Sequence, residues 1–195
     1  DLGCNMSFAL KSTIMAIFWT QFMALGENLY ATLLLVVQIW DAINDPLLGS
    51  LFDADKRKYK HGKFKTYIFI GAIGLLFSGL FFFLPFPNAP KFLRCTLFVL
   101  GYVLWDAFYT VANVPYGSML GVITEDSDEK TVFSSFRMFF AYGGSFIVLA
   151  LWEPLCNFFA GTSGELTLDP DAWQYGMIVV GIICVILFVL TFAMT

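Results

Sequence analysis

Two aspartates interrupt a segment that is otherwise suited to lipid. The segment from Leu29 to Leu48 is nearly all apolar and has the length, about 20 residues, that a helix needs to cross a bilayer, yet it contains Asp41 and Asp45. A charge at the centre of a spanning helix costs roughly 2.5 to 3.5 kcal/mol, so both carboxylates need a reason to be there. On a helix they share one face with Gln38, and such a polar stripe should face protein or a water-filled cavity.

Repulsion between the two carboxylates indicates what this stripe could bind. At about 6 Å and an effective dielectric constant near 20, two anions repel by roughly 3 kcal/mol. A bound proton, or a small hard cation that takes oxygen ligands, relieves that repulsion. A structural pair neutralised by a basic side chain from another helix is the competing interpretation. Two carboxylates in register favour the cation site.

A second polar stripe lies in the stretch WDAFYTVANVPYGSML. Asp106, Thr110, Asn113 and Gly117 recur at helical spacing and share one face, with Tyr109 beside it. A lone Thr or Asn in a span usually makes a modest hydrogen bond to another helix. Asp106 is different, because an unpaired charge in a span needs a partner.

Two basic residues within apolar segments could supply that partner. Arg137 is the natural counter-charge for the carboxylates of both stripes, and its guanidinium fork also suits a carboxylate or the vicinal hydroxyls of a sugar. Both roles stay open. Lys11 either extends to the cytoplasmic interface or points into a central cavity.

Composition places the whole chain in a membrane, since 58% of its residues are hydrophobic and 13% are charged. We predict an all-α bundle of six transmembrane helices as a single unit, residues 1–195, with spans at about 6–25, 29–52, 66–85, 92–112, 132–152 and 175–193. The uniformly apolar third and sixth spans are expected to face lipid. Pro115 is expected to kink or end the fourth helix, because it lacks a backbone donor.

Charge distribution orients this bundle. Of the eleven Lys and Arg residues, six lie between Lys56 and Lys65, which predicts that this loop and both chain ends are cytoplasmic. The run is short and lies between two spans, so no nucleic-acid partner is expected. The four cysteines lack paired spacing, which argues against disulfides and zinc. Because the sequence opens at Asp1 without a methionine and closes in an apolar run, we expect a fragment.

Four motifs resemble one transporter family. DAINDPLLGSLFD, HGKFKTYIFIGAIG, YVLWDAFYTVANVPYGSML and FSSFRMFFAYGG are similar to the glycoside-pentoside-hexuronide:cation symporters, the melibiose permease-like proteins of the major facilitator superfamily. The resemblance implies twelve helices in two six-helix halves. This chain resembles the N-terminal half, so its expected partners are a sugar substrate, the bilayer and a C-terminal half absent from the sequence.

The resemblance also implies site residues. It assigns a cation site, sodium in the first instance, to Asp41, Asp45 and Thr110. It assigns sugar contacts to Asn5, Tyr109, Asn113 and Arg137. It assigns the superfamily's cytoplasmic gate to Gly49, Asp53, Gly62, Lys63 and Lys65.

Several positions depart from the family's melibiose carriers. Those carriers hold aspartates at the positions of Asn5 and Asn113, a tryptophan at Gly117, a lysine at Cys4 and a glycine at Asp106. Amides still donate and accept hydrogen bonds, so sugar binding survives, but melibiose itself is not the expected substrate. The extra Asp106 is either an additional cation ligand that alters the preference among sodium, lithium and protons, or a counter-charge.

These features predict a secondary transporter that couples a sodium ion or a proton to a glycoside, oligosaccharide or pentoside by alternating access, without a cofactor, in a bacterial plasma membrane. An intramembrane aspartyl protease that pairs Asp41 with Asp106 would be the competing enzyme, but no GxGD-type motif surrounds Asp106, so no enzyme is expected. A cation-coupled carrier of lysolipids or similar amphiphiles would share the same fold. A scaffold or sensor that does not transport is disfavoured, because Asp41, Asp45 and Arg137 are all intact.

Overall fold

The computed structural model describes residues 1–194, and no β-strand occurs among them. Six helical regions follow one another along the chain. The first, α1, combines the α-helical segments Leu2–Ala9 and Met15–Ile17 with the π-helical turns Leu10–Ile14 and Phe18–Phe22. The others are α2 (Glu27–Ala54), α3 (Lys63–Phe82), α4 (Lys91–Ile123), α5 (Ser127–Ala160) and α6 (Pro170–Met194).

Helices α2 to α6 are each long and apolar enough to cross a membrane. Helix α1 does not meet that criterion, because its π-helical turns divide it into segments of at most eight residues. Many of its side chains are nevertheless buried inside the bundle, among them Leu10, Phe18 and Trp19. A π-turn accommodates an extra residue and rotates the residues that follow it, which alters the face that each side chain occupies.

Helices α4 and α5 extend well beyond the spans predicted at 92–112 and 132–152. The prediction that Pro115 could end the fourth helix is wrong, because α4 continues through it to Ile123. Pro46 and Pro154 likewise lie inside helices. A proline forfeits one backbone hydrogen bond, and packing against neighbouring helices keeps such residues within spans.

Helix α3 packs one face against α4 through glycines. A β-carbon added at Gly71 would lie 2.7 Å from the β-carbon of Ala112, and one added at Gly74 would overlap the ring of Phe108. The expectation that the third and sixth spans face lipid is therefore wrong for one face of each, since Gly181 of α6 also approaches α3. Hydropathy alone does not separate a lipid-facing side from a protein-facing one, because both are apolar.

The buried side chain of Asn157 makes hydrogen bonds that fix the segment between α5 and α6. The Asn157 amide group donates to the carbonyl oxygen of Glu165 (3.0 Å), and its Oδ1 accepts from the backbone N–H of Thr167 (2.8 Å). The indole of Trp173 donates to the Thr167 carbonyl at 2.7 Å. This tie positions the start of α6 against the end of α5.

Candidate functional site

Three carboxylates from two helices meet and form an acidic cluster. Asp41 and Asp45 of α2 and Asp106 of α4 each offer an oxygen atom, and these atoms lie within 4.8 Å of one another. Asp106 is buried, with 2% of its surface exposed, Asp41 is half-buried and Asp45 is exposed. The aspartate that departs from the family pattern therefore joins the pair predicted from α2.

A hydroxyl group completes one side of this acidic cluster. The buried Thr110 Oγ1 donates to Asp45 Oδ1 at 2.5 Å. Thr110 lies one turn beyond Asp106 on α4, so the helical spacing recognised in the sequence brings both residues to α2. An oxygen-rich set of this kind suits a hard monovalent cation or a proton.

Lys11 points into the bundle and contacts the acidic cluster, so it does not extend to the cytoplasmic interface. Its Nζ lies 2.5 Å from Asp106 Oδ1 and 3.9 Å from Asp41 Oδ2. The same ammonium group sits 4.2 Å from the centroid of the Tyr102 ring. Burial of a charge is tolerated where it is paired in this way.

Arg137 has a different partner from the one predicted. Its Nε donates to Asp1 Oδ2 at 2.6 Å, and its guanidinium carbon lies 5.0 Å from the centroid of the Tyr116 ring. The prediction that Arg137 is the counter-charge for the carboxylates of the second and fourth spans is wrong, since Lys11 takes that role. Both pairs involve the N-terminal helix, because Lys11 of α1 contacts Asp106 of α4 and Asp1, which directly precedes α1, contacts Arg137 of α5.

The four residues to which sugar contacts were assigned line one cavity of about 370 Å³. Its walls come from α1, α4 and α5, and its lining includes Asn5, Tyr109, Asn113 and Arg137. The cavity volume lies within the range, about 300 to 1,000 Å³, that small ligands occupy in proteins. Whether these residues bind a sugar stays a prediction, but the fold brings them together.

Two further polar residues of this cavity were missed by sequence reasoning. Asp1 supplies a carboxylate beside Arg137, and Ser134 supplies a hydroxyl group one turn before it on α5. The spacing of Ser134 and Arg137 on one helix face could have indicated the serine. No pattern in the sequence pointed to Asp1.

A smaller cavity of about 230 Å³ lies beside the acidic cluster. Lys11, Asp41 and Gln38 line it together with Tyr30 and Tyr102. The polar stripe recognised on α2 therefore faces a cavity at Gln38 and Asp41. This cavity gives the carboxylate of Asp41 an approach that is separate from the sugar-sized cavity.

The residues assigned to the gate lie around the connection between α2 and α3: Gly49 and Asp53 in the last turns of α2, Gly62 just before α3, and Lys63 and Lys65 in its first turn. Lys63 Nζ lies 4.3 Å from the centroid of the Phe52 ring, and Lys65 Nζ lies 5.7 Å from that of Phe192. Gly62 has a φ of +87°, a conformation that favours glycine, and precedes α3. Asp53 is exposed.

Asp55 organises this segment, although sequence reasoning did not identify it. Its carboxylate accepts hydrogen bonds from the hydroxyl of Tyr59, from the backbone N–H of Arg57 (3.0 Å) and from the hydroxyl of Tyr67 (2.7 Å). These three donors, that of Tyr59 above all, lower the pKa of Asp55 to about 2. Tyr67 lies on α3, so Asp55 connects the end of α2 to the next helix.

Comparison with known proteins identifies relatives among sugar transporters and symporters. A family model described as "MFS/sugar transport protein" matches residues 1–195. The "Uncharacterized symporter YnaJ" of Bacillus subtilis (strain 168) is 30% identical over 190 residues, which cover 96% of this chain and 40% of that protein.

Two other relatives have names that state a cargo. The "Putative glycoside/cation symporter YagG" of Escherichia coli (strain K12) is 32% identical over 159 residues, which cover 80% of this chain and 34% of that protein. The "Isoprimeverose transporter" of Lactiplantibacillus pentosus is 29% identical over 196 residues, which cover 100% of this chain and 40% of that protein. The chain spans at most 40% of the length of these relatives and corresponds to one half of their fold.

Proposed function

Because the chain belongs to the MFS sugar transport family, we propose that the full-length protein containing it couples a cation to the movement of a glycoside, an oligosaccharide or a pentoside. Membership of this family makes it an integral membrane transporter and not an enzyme. The observation that carries the proposal is the joint presence of an acidic cluster and a sugar-sized polar cavity, both of which include residues of α4.

Adjacent residues on α4 connect the two sites. Thr110 bonds to Asp45 in the acidic cluster, while the preceding residue, Tyr109, lines the larger cavity. A cation held by Asp41, Asp45 and Thr110 neutralises the repulsion between the two carboxylates of α2, joins α2 to α4 through Thr110 and orders that part of α4. Because binding energies are linked, a sugar that binds the ordered form must tighten cation binding by the same factor.

The lining of the larger cavity supports a sugar as the cargo. Arg137 and the amides of Asn5 and Asn113 supply several donors and acceptors, and the ring of Tyr109 adds an apolar wall. Vicinal hydroxyls present the complementary groups. The names of two relatives include a glycoside and isoprimeverose, which supports the same class of cargo. No feature of this cavity favours a lysolipid or another amphiphile.

The cation is a sodium ion or a proton, both of which an oxygen-rich acidic cluster accommodates. The loaded and the empty carrier exchange between outward-open and inward-open forms by rocking of two six-helix halves. In this proposal the protein lies in a bacterial plasma membrane, with both ends of this unit and the loop at 56–65 in the cytoplasm. Gly49, Asp53, Gly62, Lys63 and Lys65 form the cytoplasmic gate.

Uptake by proteoliposomes tests this function. The full-length protein is reconstituted, and labelled glycosides and pentosides are supplied with a sodium gradient, with a pH gradient or with neither. We expect one gradient to drive uptake, and the variant Asp45→Asn to abolish that stimulation. Asp171→Asn, an exposed aspartate at the start of α6, is the matched control and should transport normally. An uptake rate that neither gradient increases and that Asp45→Asn does not change would contradict the proposal.

A further inference from the structure

A buried ammonium group already occupies part of the acidic cluster. Lys11 Nζ contacts Asp106 at 2.5 Å and Asp41 at 3.9 Å. We propose that Lys11 acts as a tethered cation that competes with the coupling ion for Asp41 and so weakens sodium binding. This inference rests on the proposed function, since it concerns the ion selectivity of the same site.

Burial, helix geometry and an aromatic contact together hold the Lys11 ammonium at the acidic cluster. Only 8% of the residue is exposed, so it does not extend to an interface. It lies in the π-helical turn Leu10–Ile14, an irregularity that is frequent at functional sites and that costs regular hydrogen bonding. The face of Tyr102 provides a third contact for the ammonium.

The ion pair between Lys11 and Asp106 leaves a carboxylate oxygen of the acidic cluster without a partner in the described part of the chain. One carboxylate oxygen of Asp106, Oδ2, is buried and has no hydrogen-bond partner within residues 1–194. A buried carboxylate oxygen without a partner is costly, and Oδ2 keeps its capacity to accept a hydrogen bond or to bind a cation. Lys11 therefore neutralises one of three carboxylates without saturating the group.

The two ends of the cluster differ in what they offer to an ion. Asp45 and the hydroxyl of Thr110 form one end, and Lys11 with Asp106 forms the other. Asp41 belongs to both, because it contacts the ammonium at 3.9 Å and has a carboxylate oxygen within 4.8 Å of one from Asp45. A sodium ion bound to Asp41 and Asp45 therefore has an ammonium group as its neighbour, and repulsion between the two cations lowers its affinity.

Sodium binding to four variants tests the competition. Binding of radioactive sodium to the purified full-length protein in nanodiscs is measured for wild type, Lys11→Met, Asp106→Asn and the double variant Lys11→Met/Asp106→Asn. The double variant removes both charges of the pair, so it leaves no unpaired buried carboxylate that would prevent folding. Lys91→Met, which removes an exposed lysine at the start of α4, is the matched control.

Competition predicts a definite order of affinities. The double variant should bind sodium roughly tenfold or more tightly than wild type, because Asp41 is released from the ammonium. Lys11→Met should bind at least as tightly as the double variant. Asp106→Asn should bind more weakly than wild type, because Lys11 then has Asp41 as its remaining partner. Lys91→Met should leave the affinity unchanged.

A purely structural pair predicts a different result. If Lys11 only neutralises Asp106, removing both charges together leaves sodium affinity at the wild-type value, and that outcome overturns the inference. Failure of every variant to bind sodium also overturns it. The binding assay needs no sugar transport, so absence of cation-driven uptake contradicts the proposed function while the order of sodium affinities still decides the role of Lys11.

Discussion

The hydroxyl group of Thr110 is the point at which the acidic cluster touches the helix that lines the sugar-sized cavity. It donates to Asp45 at 2.5 Å, and a hydrogen bond to a charged group contributes about 1.5 to 3 kcal/mol. Thr110 directly follows Tyr109, which lines the sugar-sized cavity, so neighbouring residues of one helix contact the two candidate sites. Loss of this hydroxyl should therefore weaken cation binding more strongly than it weakens sugar binding.

Replacing Thr110 by valine preserves shape and removes this oxygen. We expect the cation concentration for half-maximal uptake to rise about 10- to 100-fold, in line with the loss of a charge-assisted hydrogen bond. Thr110→Ser keeps the oxygen and should stay close to wild type. The measurement is sugar uptake by proteoliposomes over a range of sodium and proton concentrations. An unchanged cation requirement in the valine variant would show that the hydroxyl is not a ligand.

At the scale of the element, the connection between α2 and α3 depends on Asp55. Its three hydrogen bonds come from the loop itself and from α3, whereas the side chain of Asp53, two residues earlier, is exposed and has no hydrogen bond or ion pair within the described chain. Phe52 reinforces the connection by packing against Phe64 and Tyr67, with ring centroids 5.5 Å and 5.0 Å apart respectively. The loop is therefore ordered despite its charge.

Asp55→Asn should loosen this loop. The stretch from Lys56 to Lys65 contains six Lys and Arg residues, four of them in the loop before α3, so trypsin reports directly on the opening of the loop. We expect the variant to be cut several times faster than wild type at pH 8, because the donors lose a charged acceptor. Asp53→Asn is the matched control and should be cut at the wild-type rate. Equal rates for Asp55→Asn and wild type would mean that other contacts hold the loop.

Acid should release the same connection. The folded pKa of Asp55, about 2, lies below its ordinary value of 3.8. A carboxyl group with a lowered pKa stabilises the folded state fully above its unfolded pKa, and this contribution disappears as the pH falls from about 4 through 2. An acid-active protease such as pepsin should show accelerated cleavage of the loop in wild type within that range, with little further change in Asp55→Asn.

At the scale of the whole molecule, α2 and α5 present large apolar side chains outward. Ile43 and Leu51 of α2 are 52% and 63% exposed, and Phe139 and Phe146 of α5 are 71% and 73% exposed. The outward surface of these two helices is therefore largely apolar. Lipid or the remainder of a longer transporter must cover it, since exposed apolar area of this extent is unfavourable in water.

The proposed orientation of the molecule rests on its charge asymmetry and is testable without transport. We expect trypsin to cut the loop at 56–65 in inside-out membrane vesicles and to leave it intact in right-side-out vesicles, because positively charged loops stay in the cytoplasm. The loop between α5 and α6 carries no Lys or Arg, so a protease of broad specificity should cut it from the opposite side. Cleavage at 56–65 only in right-side-out vesicles would reverse the proposed topology.

The sequence by itself determined the membrane class, the family resemblance and the helices that carry the polar residues. It also placed Asp41 with Asp45 on one helix face and Asp106 with Thr110 on another, and the fold brings these two faces together. These features are local, since apolar length, helical spacing and the cost of a charge in lipid depend on near neighbours in the chain. Hydropathy could not resolve which apolar faces of α3 and α6 meet protein, because lipid and protein interiors are equally apolar.

Only the tertiary structure decided which charges pair. Lys11, and not Arg137, reaches the acidic cluster, and Arg137 instead pairs with Asp1. The π-helical turns of α1 rotate its side chains away from regular helical spacing, so the face of Lys11 does not follow from its position in the sequence. Ion pairing between helices depends on their depth, rotation and distance, and these are fixed by the packing of the entire bundle.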